Sequence, residues 1–249
     1  KKVPQKNLTV IVKGDLEQSY RDKTDQKGQV TVPEIAQTER HGIYIEGYPD
    51  GSFGPERGMT RAEAATIFAR LLAEKNGDNI STVARTKFDD IPAHAWYSGY
   101  VKYLNNHGVA YGKTKTTFAP DDAITRAEYT ALAVRFFEVY GDGSAEIMEK
   151  YKSFDDVSEG DWAASYIQAA AKYGWVNGYE DGSFHPSRQI TRAEVVTLTN
   201  RLLGRSADEV YVQEHLRQLN TFHDLSKRHW AYYEVMESAN VHTAVLGKN

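Results

Sequence analysis

The tetrapeptide Thr-Arg-Ala-Glu occurs three times in this chain, opening at Thr60, Thr125 and Thr191, so the two intervals are almost equal. A period that regular means one structural unit used three times, so any fold must first accommodate three equivalent copies. Thr followed three residues later by Glu, ahead of an apolar run, is a capping box that opens a helix. The Arg then lies in the first helical turn, where the helix dipole disfavours a cation by roughly 0.3–1 kcal/mol. Three such placements at one register point to an anion held jointly by Arg61, Arg126 or Arg192 and the free N–H groups of its helix. On that reading the Arg serves a ligand, and losing it leaves folding nearly untouched.

More of the unit comes into register around the motif. Ahead of each copy runs a Gly-rich turn, residues 47–53, 112–118 and 178–184, followed two residues on by Pro55, Pro120 or Pro186. Asp-Gly in the first and third turns supplies the positive φ that a tight turn requires, and the second turn lacks it. Beyond each motif, apolar residues recur at helical spacing: Ile67, Phe68, Leu71 and Leu72, then Leu132, Phe136 and Phe137, then Val195, Leu198, Leu202 and Leu203. These are core stripes. A second basic position, Arg70, Arg135 and Arg201, lies half a turn around the helix from the first and reads as solvated or salt-bridged. Next come Phe88/Asp90, Phe154/Asp156 and Phe222/Asp224, and then Trp96, Trp162 and Trp230, each opening a second amphipathic helix. The Asp reads as a local cap or turn residue. Gly108 and Gly174 read as C′ residues, whereas the third copy has His242 at that register and is expected to end differently.

The phase of the repeats constrains the topology. The first copy starts on a turn with no Trp helix before it, and the last finishes on a Trp helix with no turn after it. The set is complete only if residues 230–241 lie against residues 41–47 and close a ring. The expected fold is therefore mainly α, with three helix-loop-helix modules in approximate threefold symmetry. Residues 41–87 supply the first turn and Arg helix, 88–153 the second module, 154–221 the third, and 222–249 the closing Trp helix. Residues 1–40, with alternating runs at Leu8–Val12 and Gln29–Val32, read as a short β-hairpin or the tail of an upstream domain. The stretches 141–151 and 207–219 have room for one or two helical turns each.

Composition excludes several classes. At 249 residues and 41% hydrophobic the chain can bury a core, but no apolar run approaches the ~20 residues of a membrane span. Its start lacks the layout of a secretory signal, and the chain reads as part of a longer protein. The absence of cysteine rules out disulfides and thiolate metal sites. A net charge of −4 with interspersed signs argues against nucleic acid. No Gly-x-Ser-x-Gly, phosphate loop or His-Glu-x-x-His is present, and Asp121-Asp122, which imitates glycosidase carboxylates, lies in the turn that has lost its signature. The chain is therefore not expected to be an enzyme. The eight histidines are scattered without ligand spacing, and Asp50-Gly51-Ser52 and Asp142-Gly143-Ser144 fall short of a calcium loop. No metal or cofactor is expected. A peptide-binding helical array is the competing reading, but it does not require an Arg at the start of one helix in every repeat.

The combination of Gly-Tyr-x-Asp-Gly-Ser-Phe-x-Pro, Thr-Arg-Ala-Glu, Phe-x-Asp and a Trp helix, over about residues 41–245, resembles the S-layer homology family. That resemblance implies a mainly helical, pseudo-threefold spindle that tethers bacterial surface proteins to the cell wall. Grooves between modules would bind secondary cell-wall polysaccharide, with pyruvate-ketal-modified N-acetylmannosamine the best-known ligand. The motif Arg would meet the ketal carboxylate, a loop residue would hydrogen-bond the sugar, and a Trp would pack against it. Carried over by position, the resemblance pairs Arg61 with Trp96, Arg126 with Trp162, and Arg192 with Trp230. The loop positions are Glu46, Tyr111 and Asn177. Because Asn177 can donate to a sugar while Glu46 repels a carboxylate and Tyr111 is bulky, Asn177, Arg192 and Trp230 are expected to form the dominant groove. The implied partner is an anionic cell-wall glycan met outside the cell, at its surface, by a chain that is monomeric in isolation.

Overall fold

The computed structural model describes residues 38–81, 83–141, 150 and 152–245. In it each Thr-Arg-Ala-Glu motif opens a helix: α1 (Arg61–Asn76), α3 (Arg126–Tyr140) and α5 (Arg192–Leu203). All three capping boxes are complete. In the first, the Glu63 amide donates to Thr60 Oγ1 at 3.2 Å and the Thr60 amide donates to Glu63 Oε2 at 2.8 Å.

These helices are buried around most of their circumference, including small residues such as Ala64, Ala65 and Ala69. A helix apolar all round belongs in the centre, and these three line the molecular core. Phe68 of α1 stands 4.7 Å from Phe136 and 5.3 Å from Tyr129, ring centre to ring centre. The Tyr129 hydroxyl meets Thr199 Oγ1 of α5 at 2.7 Å. The stripes expected from the sequence are thus widened, because an outer helix covers what would otherwise be the exposed face. Those outer helices are α2 (Ser98–Asn106), α4 (Ala164–Lys172) and α7 (Tyr232–Ser238), which pack on α1, α3 and α5 respectively. Each begins two residues after its Trp. Gly108 and Gly174 sit at φ 73° and 71° just past α2 and α4, as a C′ residue should. A short helix α6 (Glu209–His215) occupies the stretch 207–219. The third Trp helix ends differently, running into strand β2 (His242–Val245), which pairs with β1 (Thr38–His41).

Residues 40–244 form one compact unit, and outside it only Thr38, Glu39 and Val245 are described. Of residues 1–40, expected as a β-hairpin or the tail of an upstream domain, 1–37 lie outside the described residues, as does most of the stretch 141–151. Among the described residues no helix is long and apolar enough to cross a membrane.

The ring closes as the phase of the repeats requires. Three isolated bridges run around its centre, Thr60 to Ala123, Thr125 to Gln189, and Gly58 to Thr191. The Tyr44 amide donates to the Ser238 carbonyl at 3.2 Å, joining the first turn to the last helix. The Phe-x-Asp carboxylates reach further than a local cap. Asp90 accepts from the amides of Phe118 and Ala119 (2.8 and 2.6 Å), and Asp156 accepts from those of Phe184 and His185 (2.7 and 2.7 Å). Asp224, near the end of the chain, takes the amides of Phe53 and Gly54 at 2.7 Å each. Two carboxylate oxygens gripping consecutive amides hold Ala119 and His185 at φ 58° and 56°, a region costly to side-chain-bearing residues. The first turn is therefore clamped by the last Phe-x-Asp, and one of the three units is assembled from both ends of the chain. Gly178 illustrates the closeness of the clamp, since a Cβ there would fall 2.4 Å from the Phe154 ring. In the second turn, which lacks Asp-Gly, Thr114 Oγ1 accepts the Thr117 amide, whose equivalents Ser52 and Ser183 donate to Asp50 and Asp181 in the other two.

Candidate functional site

The first-turn amides of the motif helices are not free. Arg61 N–H donates to Asp122 O and Ala62 N–H to Pro120 O, both at 3.0 Å; Arg126 and Ala127 donate to Arg188 and Pro186, and Arg192 and Ala193 to Arg57 and Pro55. The third amide in each case takes the Thr cap. The chain leaving the neighbouring turn crosses the helix end and fills the position where an anion was expected. The motif's Ala is buried beneath that crossing, where a bulkier side chain would collide.

The Arg side chains are likewise committed to the fold. Arg61, Arg126 and Arg192 are buried, and each Nε donates at 2.8 Å to a turn carbonyl, of Phe118, Phe184 and Phe53 respectively. Each guanidinium also lies 4.5–4.9 Å from the ring centre of the same Phe. Arg61 Nη1 pairs with Glu128 at 3.1 Å and Arg126 Nη1 with Glu194 at 2.8 Å. Burial lowers the pKa of these guanidiniums and the facing Glu opposes that shift, while Arg stays charged throughout. The motif is thus a staple between repeats. Thr caps, Arg reaches into the next turn, Ala fits under it, and Glu caps its own helix, with Glu128 and Glu194 also taking the Arg of the preceding one. This burial and bonding argue against the expectation that the Arg is dispensable for folding.

Two grooves between repeats stand out among the described residues. One, about 920 Å³ with the solvent at its mouth, is lined by Arg61, Tyr111, Lys113, Glu128, Arg135 and Trp162. The other, about 850 Å³, is lined by Arg126, Asn177, Tyr179, Glu194, Arg201 and Trp230. The pairing expected by position is therefore wrong by one repeat. Arg61 shares a groove with Trp162 rather than Trp96, and Arg126 with Trp230 rather than Trp162. Asn177 and Trp230 line the groove of Arg126, whereas Arg192 turns its Nη2 to the Glu46 carbonyl at 2.6 Å. The reason is geometric. Each helix end abuts the next turn, so a groove takes its Arg from one repeat, its loop from the next and its Trp from the one after. That register assigns Trp96, 54% exposed and edge-on to Tyr97, to Arg192 and Glu46.

Two motif guanidiniums keep an edge without a hydrogen bond among the described residues, Nη2 of Arg126 and Nη1 of Arg192. Arg61 Nη2 donates to Tyr111 O at 3.0 Å and Arg192 Nη2 to Glu46 O, but Arg126 Nη2 makes no hydrogen bond among the described residues. Asn177 is exposed at the rim of the same groove, and Trp230 is 61% exposed, an unusual state for an indole. Glu194 in its floor stays ionised. Burial alone would raise its pKa, but the Thr191 amide, Arg126, Tyr179 and Arg188 together hold it below the usual range.

The second basic position is solvent-exposed at Arg70 and Arg201, as expected, and at Arg135 and Arg201 it also lines the grooves. Arg135 lies between the Tyr111 and Tyr166 rings (4.6 and 4.5 Å), and Arg201 Nη1 donates to Trp175 O at 3.3 Å. Half a turn separates the two basic positions on any one helix, but the two cations of a groove come from successive repeats. Nothing in the linear spacing signals that. The structure also gathers three groups with the chemistry to hold a metal ion, His41, Glu237 and His242, which linear spacing likewise conceals.

A ring of three capped helices, with a cation, a loop residue and an exposed indole meeting between repeats, defines a repeat-built surface-binding module. The S-layer homology domain model matches residues 28–65, 87–130 and 153–196. The chain is similar to the Cellulosome-anchoring protein of Acetivibrio thermocellus, 34% identical over 236 residues, which cover 93% of this chain and 49% of that protein. It is similar to Cell surface glycoprotein 1 of the same organism, 35% identical over 217 residues (83% and 9%), and to the Surface-layer 125 kDa protein of Lysinibacillus sphaericus, 32% identical over 163 (64% and 13%). The chain spans about half the length of the first of these relatives and far less of the others. It belongs to the S-layer homology domain family, and with that family to the cell surface, among the modules that anchor proteins at the cell wall.

Proposed function

We propose that this chain fastens its parent protein to the wall by holding an anionic, pyruvate-ketal-bearing N-acetylmannosamine glycan between repeats. The principal site is the groove of Arg126, Asn177, Arg201 and Trp230. The observation that carries this choice is that Arg126, with an unbonded Nη2 and already oriented by its ties to Phe184 O and Glu194, shares one groove with Asn177 and the exposed Trp230. A carboxylate meeting that edge gains charge-assisted hydrogen bonds without disturbing the staple. Arg201 adds a second cation at the same groove, the Asn177 amide can serve sugar hydroxyls, and the Trp230 face offers apolar area to a pyranose. In the Arg61 groove the corresponding edge is occupied by Tyr111 O, and at Arg192 by Glu46 O with a further carboxylate close by. The role is adhesion, with no bond made or broken.

Calorimetric titration with a pyruvylated mannosamine disaccharide tests the reading. One dominant site is expected, weakened about tenfold by Trp230→Ala (~1.4 kcal/mol, within the range of an aromatic contact) and by a similar factor in Arg201→Ala. Trp96→Ala should change little. The disaccharide without its ketal should bind at least tenfold more weakly. Equal binding of the two sugars defeats the carboxylate reading, and loss in Trp96→Ala with retention in Trp230→Ala defeats the groove assignment.

A further inference from the structure

At the seam where the ring closes, three groups from distant parts of the chain converge: His41 at the end of β1, Glu237 in the last turn of α7, and His242 at the start of β2. His41 Nδ1 lies 2.7 Å from Glu237 Oε1, and His242 Nε2 lies 2.9 Å from Oε2. All three are buried, and their ligand-type atoms lie within 4.8 Å of one another. The His41–Glu237 contact spans 196 residues of sequence. The two imidazoles meet edge to face with centres 5.0 Å apart.

The carboxylate is unevenly satisfied. Oε1 has a hydrogen bond from His41, but Oε2 is fully buried without a hydrogen bond in good geometry, despite the closeness of His242. A buried carboxylate oxygen without an aligned donor is expensive to keep. Two imidazole nitrogens and a carboxylate are, however, a common ligand set for a divalent transition-metal ion, which needs no hydrogen on any of them. We propose that His41, Glu237 and His242 bind such an ion, zinc by preference, and that it locks the two ends of the ring together.

The geometry is within reach of side-chain adjustment. Bonds of about 2.0–2.1 Å in a tetrahedron place neighbouring ligand atoms roughly 3.3 Å apart, so the 2.7 and 2.9 Å contacts must open by about half an ångström and separations of up to 4.8 Å must close, movements that imidazole and carboxylate rotations can supply. A small cavity of about 10 Å³ adjoins Glu237 and His242, walled also by Asp208, Tyr211 and Asn240. That is about the space one water needs, and a water there completes a fourth coordination position. An ion here ties together β1, α7 and β2, the elements that join the first turn to the last helix. Binding only the closed ring, it stabilises that ring by mass action.

The test uses the whole chain, freed of metal with a chelator. Zinc chloride titrated calorimetrically should bind at one equivalent, and saturating zinc should raise Tm by several degrees where magnesium and calcium do not. Cobalt(II) in place of zinc should show the visible absorption of a low-symmetry nitrogen–oxygen site. His242→Gln and Glu237→Gln, checked for native circular dichroism, should each lose at least about tenfold in zinc affinity, while His94→Gln, at an exposed position elsewhere, should not. Should the glutamine variants fail to fold, the wild-type titration and cobalt spectrum still decide. Absence of saturable zinc binding by the wild type overturns the proposal, as does unchanged binding in folded His242→Gln and Glu237→Gln. Neither outcome bears on the glycan groove.

Discussion

A single arginine shows how a fold and a site come to share a residue. Arg126 lies under the Phe184 and Tyr179 rings, donates to the Phe184 carbonyl and neutralises Glu194, while its remaining edge faces the groove. The dipole penalty of a cation in the first turn is roughly 0.3–1 kcal/mol, smaller than the cost of leaving Glu194 buried without its main cation. Arg126→Ala should therefore destabilise the chain by about 3 kcal/mol, the range for breaking a buried pair. Chemical denaturation, read as a fall in midpoint at constant m-value, would show it. An unchanged midpoint would return the Arg to a purely ligand-binding role.

The motif helix as a unit carries a dependence on pH. Glu194 caps α5 through the Thr191 amide and receives Arg126 from α3, so one carboxylate holds a helix start and a helix–helix junction. Its pKa in the folded chain is below that of a free Glu. Such a group contributes its full stability above the unfolded value of about 4.3 and loses it as pH falls through the lower folded value. Stability should accordingly drop as acid is added below about pH 4. Glu194→Gln should flatten that limb while lowering stability at neutral pH by about 1–3 kcal/mol, the cost of weakening a charge-assisted network. Urea midpoints between pH 3 and pH 7 for the two proteins settle the matter, and parallel curves would assign the acid limb to other groups.

Across the whole molecule, stability rests on a closure that joins the chain's two ends. The first turn is gripped by Asp224, Tyr44 is tied to Ser238 and also donates to Asn200 Oδ1 at 2.6 Å, and α7 covers α5. Removing residues 222–249 takes the clamp from the first turn and the outer helix from α5 together. The truncated chain should melt about 10 °C lower, or lower still, since the loss exceeds the roughly 2–5 kcal/mol that emptying a single large core position costs. Its transition should also broaden. A truncated chain that melts as high and as sharply as the full one would mean that the ring is not a cooperative unit.

Much of this architecture could be read from the chain because it rests on short-range chemistry. The capping boxes at Thr60, Thr125 and Thr191, the Asp-Gly turns and the C′ glycines 108 and 174 involve groups within a few residues of one another, where backbone geometry leaves few alternatives. Ring closure was legible too, because a half-repeat at each end has only one partner. Groove membership was not. Arg126, Asn177 and Trp230 come from three successive repeats, and which repeats meet depends on how a helix end packs against the neighbouring turn. That Arg135 and Arg201 line grooves was not legible either, because position around one helix says nothing about a groove shared by two. The first-turn amides were expected to be free because their acceptors, Pro120, Asp122 and their equivalents, belong to other repeats of the chain. His41, Glu237 and His242 carry no spacing signature, since only the folded ring brings its first strand onto its last helix. Contacts along the chain are set by bond geometry, whereas contacts between repeats are set by side-chain packing, which the three-dimensional arrangement alone resolves.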